Sequence, residues 1–129
     1  MTRDDVQRWL DAYVEAWRTY DPAAIGDLFS ADVRYRYQPY REPVVGRDAL
    51  VADWLEDRDE AGSWEAHYET YAVDGDRAVA VGESRYLEAD GSLQTLFYNC
   101  WLLRFDADGR CADFVEYWRE LPEELRPGR

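Results

Sequence analysis

The sequence predicts an α+β fold in which three N-terminal helices pack on one face of a curved, mostly antiparallel sheet. Apolar residues recur at helical spacing in the N-terminal half of the chain. In the C-terminal half, strand-forming segments follow one another at hairpin spacing, separated by three Asp-Gly pairs. Helices followed by an antiparallel meander are typical of a sheet that is covered by helices on one side.

Length and composition predict one domain. The chain has 129 residues, of which 47% are apolar and 16% aromatic. This content is enough to bury a core and excludes intrinsic disorder. We expect a single domain over residues 1–129, with a core at about 5–120 and a loose polar tail at 121–129.

The charged residues exclude several classes of function. With 28 acidic residues against 15 arginines, the net charge of -13 repels nucleic acid and anionic membranes. The absence of lysine excludes a Schiff-base lysine, a pyridoxal-phosphate anchor and a phosphate-loop lysine. One histidine and two cysteines without short ligand spacing argue against a metal site, and we expect neither a metal nor a cofactor. The charged N-terminus lacks a signal-peptide or membrane-span pattern, which favours a cytoplasmic protein.

Three helices are predicted in the N-terminal half. The first covers residues 3–19, where apolar side chains share one helical face behind a threonine and an acidic pair. The second covers 23–29 and has Pro22 in the favoured first turn. The third begins at Gly46 and ends before Gly62.

Five strands are predicted, the first at 33–37. The other four are expected at about 64–73, 77–88, 93–105 and 110–119. Cys100 and Cys111 fall on the last two strands, about four residues or roughly 13 Å apart along the sheet. That separation is too large for a disulfide.

Three segments carry a resemblance to a known family: Trp17 to Phe29, Gly46-Arg47-Asp48-Ala49-Leu50, and Phe105-Asp106-Ala107-Asp108-Gly109-Arg110. Their order resembles the nuclear transport factor 2-like superfamily, and more narrowly its SnoaL-like branch, over about residues 5–120. The resemblance implies a cone-shaped fold with a cavity between the helices and the concave sheet face. The superfamily includes ketosteroid isomerases, polyketide cyclases, limonene-epoxide hydrolase, scytalone dehydratase and noncatalytic transport or assembly modules, so it does not name a function.

Compared with the ketosteroid isomerases, the chain keeps one functional group and lacks two. The resemblance places the oxyanion-hole tyrosine at Tyr13 and puts Trp54 where a supporting tyrosine stands. The general-base aspartate falls on Tyr37 or Gln38, and the protonated aspartate falls on Trp101. Both carboxylates are missing, which argues against ordinary steroid isomerisation.

Strand alternation predicts which side chains of the last hairpin enter the cavity. With a four-residue loop at 106–109, the inward pairs are Leu103 with Ala112, Trp101 with Phe114, Asn99 with Glu116 and Phe97 with Trp118. The outer face would carry Tyr98, Cys100, Leu102, Cys111, Val115 and Tyr117, and so much apolar surface predicts a homodimer through this face. A three-residue turn with a bulge at Gly109 would instead flip one strand relative to the other.

Glu116 is the leading catalytic candidate. It lies between Phe114 and Trp118 on one face, where desolvation would raise the pKa of its carboxyl. Tyr13 and Asn99 are candidate donors to a developing oxyanion. The alternative is a buried structural carboxylate that Asn99 or Arg85 satisfies.

Further side chains are predicted to bind the substrate: Trp17, Tyr37, Trp54, Glu83, Arg85, Trp101, Phe114 and Trp118. Glu83 and Arg85 face inward only if Val79 and Val81 also point toward the helices. A two-residue Asp-Gly turn would instead place Ala80, Gly82, Ser84 and Tyr86 inside. His67 is expected at an exposed or interface position, and Asp53 is expected to face solvent.

These residues predict a small enzyme of the cyclase, isomerase or hydrolase kind that works without a cofactor. An aromatic-lined cavity with a few polar tips is suited to a small apolar, aromatic or polycyclic compound. Two alternatives stay open. One is a module that binds such a ligand without turnover, and the other is a dimeric assembly domain whose cavity is incidental.

Overall fold

Three helices cover one side of a six-stranded sheet in the computed structural model, which describes residues 1–127. The helices are α1 (Arg3–Thr19), α2 (Pro22–Asp27) and α3 (Arg47–Glu56). The strands are β1 (Phe29–Arg36), β2 (Val44–Val45), β3 (Trp64–Asp74), β4 (Arg77–Leu87), β5 (Leu93–Phe105) and β6 (Cys111–Glu120). The sheet order is β2-β1-β6-β5-β4-β3, and the β1–β6 pair alone is parallel among the described strands. This cone-shaped α+β architecture confirms the predicted fold class. Strand β2 is an addition to the five predicted strands.

Local sequence signals set both ends of α1. Asp5 N donates to Thr2 Oγ1 at 3.1 Å while Thr2 N donates to Asp5 Oδ2 at 2.9 Å. This reciprocal cap satisfies two N–H groups that have no partner within the helix. At the other end Tyr20 takes a left-handed conformation, with φ 52°, which terminates the helix.

Helix α1 also covers the free edge of β3. Arg3 donates through Nη1 to the Thr70 carbonyl oxygen at 2.6 Å, and Gln7 donates through Nε2 to the Tyr68 carbonyl oxygen at 2.9 Å. In return Thr70 N donates to Gln7 Oε1 at 2.9 Å. These bonds satisfy edge groups that would otherwise be open to another strand. They also fix α1 across the sheet, with its buried side chains against the inner face.

An aromatic cluster between α1 and the sheet forms the centre of the core. The Tyr13 ring lies 4.7 Å from the Trp101 ring and 5.0 Å from that of Trp54 on α3, measured between centroids. Below it, Phe114 stacks on Tyr35 at 4.1 Å. Helix α1, helix α3 and the sheet therefore pack against one another through aromatic rings. The polar atoms of these rings need hydrogen-bond partners inside the fold.

The β5–β6 hairpin keeps the predicted inward face but pairs it differently. The observed partners are Leu103 with Phe114, Trp101 with Glu116, and Asn99 with Trp118. Each inward residue of β5 thus meets a β6 residue two positions later than predicted. The predicted pairs were wrong, whereas the inward face was correct at Phe114, Glu116 and Trp118.

Two one-residue shifts account for this result. In the turn, Asp106 N donates to the Arg110 carbonyl oxygen at 2.8 Å, and Gly109 has a φ of 80°. This turn geometry exchanges the inward and outward positions of one strand. A second irregularity, at Ala112, exchanges them again. Cys111 lies between the two shifts and is therefore buried opposite Phe105, not on the outer face as predicted.

On β4, the prediction that Glu83 and Arg85 point into the cavity was wrong. Both side chains lie exposed on the outer face of the sheet. The pairing of Tyr86 with Thr95 becomes Leu87 with Leu93, so one extra residue is accommodated on β5. This bulge places Ala80 and Ser84, rather than the charged residues, against the core. The alternative phase satisfies burial because small side chains enter and both charges remain in water.

The segment after β6 folds back on the sheet. Glu123–Leu125 forms a short 3₁₀ helix, and Arg126 donates through Nη2 to the carbonyl oxygens of Leu93, at 3.0 Å, and Gln94. A loose tail was predicted for 121–129, of which residues 128–129 lie outside the described residues. Both cysteines are free, as predicted. Within residues 1–127 no helix is long and apolar enough to cross a membrane.

Candidate active site

A cavity of about 600 Å³ opens between the helices and the inner face of the sheet. Its walls comprise six tyrosines, four tryptophans, one phenylalanine, four carboxylates, one serine and one asparagine. Neither arginine nor histidine lines it within the described part of the chain. The cavity is therefore aromatic in its surface and negative in its charge.

Exposure separates the base of the cavity from its mouth. At the base, Trp101 and Tyr68 are 2% and 3% exposed. At the mouth, Tyr37 and Trp118 are 42% and 45% exposed, and Asp57 is also exposed. A ligand would enter past these last side chains and reach the buried rings below them.

Glu116 reaches the cavity from β6, and protein donors bind one of its two oxygens. Trp101 donates through Nε1 to Oε2 at 3.0 Å, and Asn99 donates through Nδ2 to the same oxygen at 2.5 Å. No other hydrogen bond to the carboxylate occurs within residues 1–127, so Oε1 has no protein partner there. Burial raises the pKa of Glu116, while the bonds from Trp101 and Asn99 oppose the rise. The site thus holds a carboxyl that binds a proton more readily than an exposed glutamate does, and one of its oxygens has no partner within residues 1–127.

A row of hydrogen bonds orients Asn99. Ser84 Oγ donates to Asn99 Oδ1 at 2.8 Å, and Ser84 Oγ and Tyr68 OH lie 2.5 Å apart. Because the Ser84 proton is used on Asn99, Tyr68 is the donor in the second bond. The amide nitrogen of Asn99 is consequently directed at Glu116, and every proton in the row points toward the carboxylate.

Gly82 makes room for this row. It pairs with Tyr68 across the β3–β4 ladder, and a Cβ atom placed on Gly82 would lie 2.7 Å from Tyr68 Cα and closer still to the His67 carbonyl oxygen. No other residue type fits that close approach without moving a strand. The glycine therefore helps to set the position of the Tyr68 hydroxyl.

Two phenols face each other at the base of the cavity. The hydroxyl oxygens of Tyr13 and Tyr35 lie 2.6 Å apart. Burial raises the pKa of both phenols well above the usual range, and the negative charge of Glu116 adds to the rise. Both hydroxyls therefore stay protonated. Since one proton is shared within the pair, the other is available to a ligand oxygen.

Two aspartates line the mouth through aromatic partners. Tyr37 OH donates to Asp53 Oδ2, and Trp17 donates through Nε1 to Asp59 Oδ2 at 3.0 Å. Trp17 in turn stacks on Trp64 with the ring centroids 3.6 Å apart. Asp53 had been expected to face solvent only. Its position at the mouth reflects the phenol of Tyr37, which directly follows β1.

Most of the predicted site residues come together around the cavity. Those that line it are Tyr13, Trp17, Tyr37, Trp54, Asn99, Trp101, Glu116 and Trp118. Phe114 lies beneath, packed on Tyr35, whereas Glu83 and Arg85 are on the other side of the sheet. His67 is exposed, as expected, with Nε2 3.4 Å from Glu69 Oε1.

Several cavity residues were not among the predicted site residues. The inward positions of Tyr35 and Tyr68 follow from alternation along β1 and β3, which was a usable signal. Ser84 and Tyr86 depended on the phase of β4, and Asp59 depended on how the segment after α3 folds over the opening. Within residues 1–127 no group of three or more His, Cys, Asp or Glu side chains could hold a metal ion.

The fold and its cavity between helices and sheet agree with the resemblance to the nuclear transport factor 2-like superfamily. The model of the SnoaL-like domain family matches residues 10–124. The chain therefore belongs to the SnoaL-like family of that superfamily, which confirms the resemblance seen in the sequence.

Similar solved structures agree on the fold. A candidate ketosteroid isomerase from Kribbella flavida has a TM-score of 0.69 at 19% identity, covering 98% of this chain and 86% of that one. An NTF-2 like protein of unknown function from Burkholderia xenovorans has a TM-score of 0.69 at 18% identity, covering 97% and 89%. An LEH-like epoxide hydrolase from M. tuberculosis has a TM-score of 0.67 at 15% identity, covering 91% and 84%. No curated protein matches the chain. At such identities the likeness shows the fold alone.

Proposed function

We propose that this protein is a small acid–base enzyme of the cyclase, isomerase or hydrolase kind, acting on a small compound with an apolar, flat body. The observation that carries the proposal is the free Oε1 of Glu116. That carboxyl lines an aromatic cavity, its pKa is raised by burial, and its other oxygen is fixed by Trp101 and Asn99. A positioned group of this kind can take a proton from a substrate and return it.

Other residues around the cavity would position the carboxyl of Glu116 and stabilise negative charge on the substrate. Asn99 and Trp101 act as positioning residues, because they hold Oε2 and so orient Oε1. The available proton of the Tyr13 and Tyr35 pair would stabilise negative charge on a substrate oxygen. The acid–base group stands on β6 and the donor pair on α1 and β1, and all three side chains line the same cavity.

The shape of the cavity supports a small-molecule substrate. Its volume of about 600 Å³ lies within the range of ligand pockets, roughly 300 to 1,000 Å³. Trp17 and Trp54 offer indole surface that suits a flat ring system. Two similar folds are described as a candidate ketosteroid isomerase and an epoxide hydrolase, both named for chemistry on small molecules.

Proton exchange at a carbon acid tests the proposal. The probe is 2-tetralone, a flat ketone, whose exchange of α-protons in D₂O is followed by NMR with and without the protein. We expect the wild type to accelerate exchange, and Glu116→Gln to lose on the order of 10²–10⁴ of that acceleration. Glu83→Gln removes the same charge from the outer face and should leave the rate unchanged. Equal rates for wild type and Glu116→Gln would refute the assigned role.

A noncatalytic binder is the second candidate, and one observation favours it. The resemblance to the ketosteroid isomerases puts Tyr37 or Gln38, and Trp101, where those enzymes have carboxylates, and Glu116 is the one carboxyl in the deeper part of the cavity within residues 1–127. For a binder, 2-tetralone would quench tryptophan fluorescence in a saturable manner without any accelerated proton exchange. For the enzyme, both signals would appear together.

We propose further that the outer sheet face binds a second copy of the chain. Tyr98, Leu102 and Tyr117 are exposed there on neighbouring strands, and contiguous apolar surface of this kind is typical of interfaces. Tyr117→Arg should therefore give the mass of a single chain by native mass spectrometry. Tyr71→Arg, at an exposed position on β3, is the matched control and should retain the dimer. A dimer that persists in Tyr117→Arg would contradict this assignment.

A further inference from the structure

The charges around the cavity all have one sign. Asp53, Asp57 and Asp59 line its mouth, and Glu116 lies deeper. The chain has 15 arginines, yet within residues 1–127 none of them lines the cavity. Arg58 comes near, but its guanidinium lies over the Tyr20 ring, 5.4 Å from the centroid, and its Nε donates to the Leu55 carbonyl oxygen.

No ion pair neutralises these four carboxylates in the described part of the chain. The salt bridges there involve other acids: Asp5, Glu15, Asp27, Glu69, Asp113 and Glu123. Asp53, Asp59 and Glu116 accept hydrogen bonds from uncharged donors, namely phenol, indole and amide groups. Neutral donors orient a carboxylate but do not cancel its charge, so the negative potential remains in the cavity.

The aromatic walls favour the same sign of ligand. The faces of indole and phenol rings carry negative charge density and attract cations, with tryptophan the strongest. Four tryptophans line this cavity, and Trp118 with Tyr37 stands at its partly exposed mouth. Arg58 over Tyr20 shows a cation already seated on a ring of the same wall.

The carboxylates of the cavity also act on the phenols that surround them. The charge of Glu116 contributes to the raised pKa of Tyr13, Tyr35, Tyr37, Tyr68 and Tyr86, after burial as the largest cause in each. At the mouth, Asp53 raises the pKa of Tyr37 and Asp59 raises that of Tyr86. A field that penalises a phenolate also repels an anionic ligand and stabilises a cationic one.

We propose that the ligand of this cavity is an organic cation, with an apolar aromatic body among the buried rings and a protonated amine facing Asp53, Asp57 and Asp59. This inference rests on the proposed function only in taking the cavity as the ligand site. It narrows the substrate to the amine class. It also gives the acidic segment after α3 a role in recognition.

Three naphthalene probes of matched shape test the charge preference. They are 2-naphthylmethylamine, which is cationic at neutral pH, 2-naphthalenemethanol, which is neutral, and 2-naphthoate, which is anionic. Isothermal titration calorimetry at low salt should show the amine binding at least about tenfold more tightly than the alcohol, and 2-naphthoate most weakly. Added salt should reduce the advantage of the amine, because the mouth is open to solvent.

A pair of charge-removing variants assigns the preference to the mouth. Asp57→Asn should lower the amine-to-alcohol affinity ratio severalfold. Asp74→Asn removes the same charge from an exposed position at the end of β3 and should leave the ratio unchanged. Equal reductions in both variants would show an effect of net charge alone and would overturn the proposal.

The outcomes separate this inference from the proposed function. If the alcohol binds as tightly as the amine or more tightly, the cation preference is wrong while the cavity remains a ligand site. If none of the three probes binds, the cavity does not take flat aromatic ligands, and both proposals fall.

Discussion

The two faces of the sheet carry similar aromatic residues but use them differently. On the inner face, Trp101 and Tyr68 are 2% and 3% exposed, and their polar atoms bind Glu116 and Ser84. On the outer face, Tyr98 of β5 and Tyr117 of β6 are 54% and 45% exposed, and their hydroxyls make no hydrogen bond within residues 1–127. Composition does not distinguish these faces. What distinguishes them is the phase of each strand. The phase decides on which face a side chain lies and which hydrogen-bond partners its polar atom can reach.

The largest difference between the faces should appear on truncating one ring of each. Trp101→Ala removes a buried indole and a donor to Glu116, and it should lower the free energy of unfolding by about 3–5 kcal/mol. Tyr98→Ala on the outer face should cost less than about 1 kcal/mol in the monomer. Urea denaturation at low protein concentration measures both values. Similar losses would mean that the two faces are not distinguished by burial.

The Gly82→Ala variant tests how closely β3 and β4 approach each other on the inner face. The new methyl group would meet the backbone of β3 at His67 and Tyr68, so we expect a loss of about 1–3 kcal/mol. Gly26→Ala is the control, because its methyl would make ordinary contacts, 3.8 Å from the Arg47 side chain, and alanine favours helix α2. Thermal unfolding should therefore show a lower Tm for the first variant alone. An unchanged Tm in Gly82→Ala would contradict the close approach of β3 and β4.

The pH dependence of stability compares carboxyls on the two faces. The raised pKa of Glu116 means that the folded chain holds this proton more tightly than the unfolded chain does. Stability should therefore fall as pH rises from the ordinary glutamate value of 4.5 through the raised pKa.

Glu116→Gln removes the titrating group, so its stability relative to wild type should increase across that same interval. Urea denaturation at a series of pH values measures the difference. Glu83→Gln on the outer face is the matched control. If the two difference curves had the same slope, the special environment of Glu116 would be ruled out.

The smallest effect is expected from a charge pair on the outer face. Arg104 Nη2 lies 2.6 Å from Asp113 Oδ2, with both side chains more than a third exposed. Ion pairs in contact with water contribute about 0–1 kcal/mol to stability. Asp113→Asn should thus change the free energy of unfolding by less than about 1 kcal/mol, as measured in urea. A loss as large as that of Trp101→Ala would reverse the ranking of the faces.

Much of the candidate site could be predicted because it depends on alternation along single strands. Asn99 and Trp101 share one face of β5, and Glu116 shares a face with Trp118 on β6, whichever residues pair across the hairpin. Tyr13 follows from the apolar stripe of α1 in the same way. Such placements rely on local geometry and on the burial of rings, both of which are written into neighbouring residues.

The phase between strands could not be predicted in this way. An Asp-Gly pair allows turns that differ by one residue, and a shift of one residue exchanges the two faces of a strand. On β4 this exchange replaced Glu83 and Arg85 with Ser84, which then oriented Asn99. On β6 two one-residue shifts added up to a shift of two, which restored the predicted face although the pairing was different.

The chain's own residue pattern was therefore sufficient for the order of the predicted helices and strands, the ends of α1, and the aromatic character of its candidate site. These features depend on periodicity, capping and composition within short segments. The parallel β1–β6 pair, the bulges, and the approach of Asp53 and Asp59 to the cavity required the assembled fold. These features are stabilised by contacts between segments that are distant in the sequence. Their alternatives differ in free energy only when the whole core is packed.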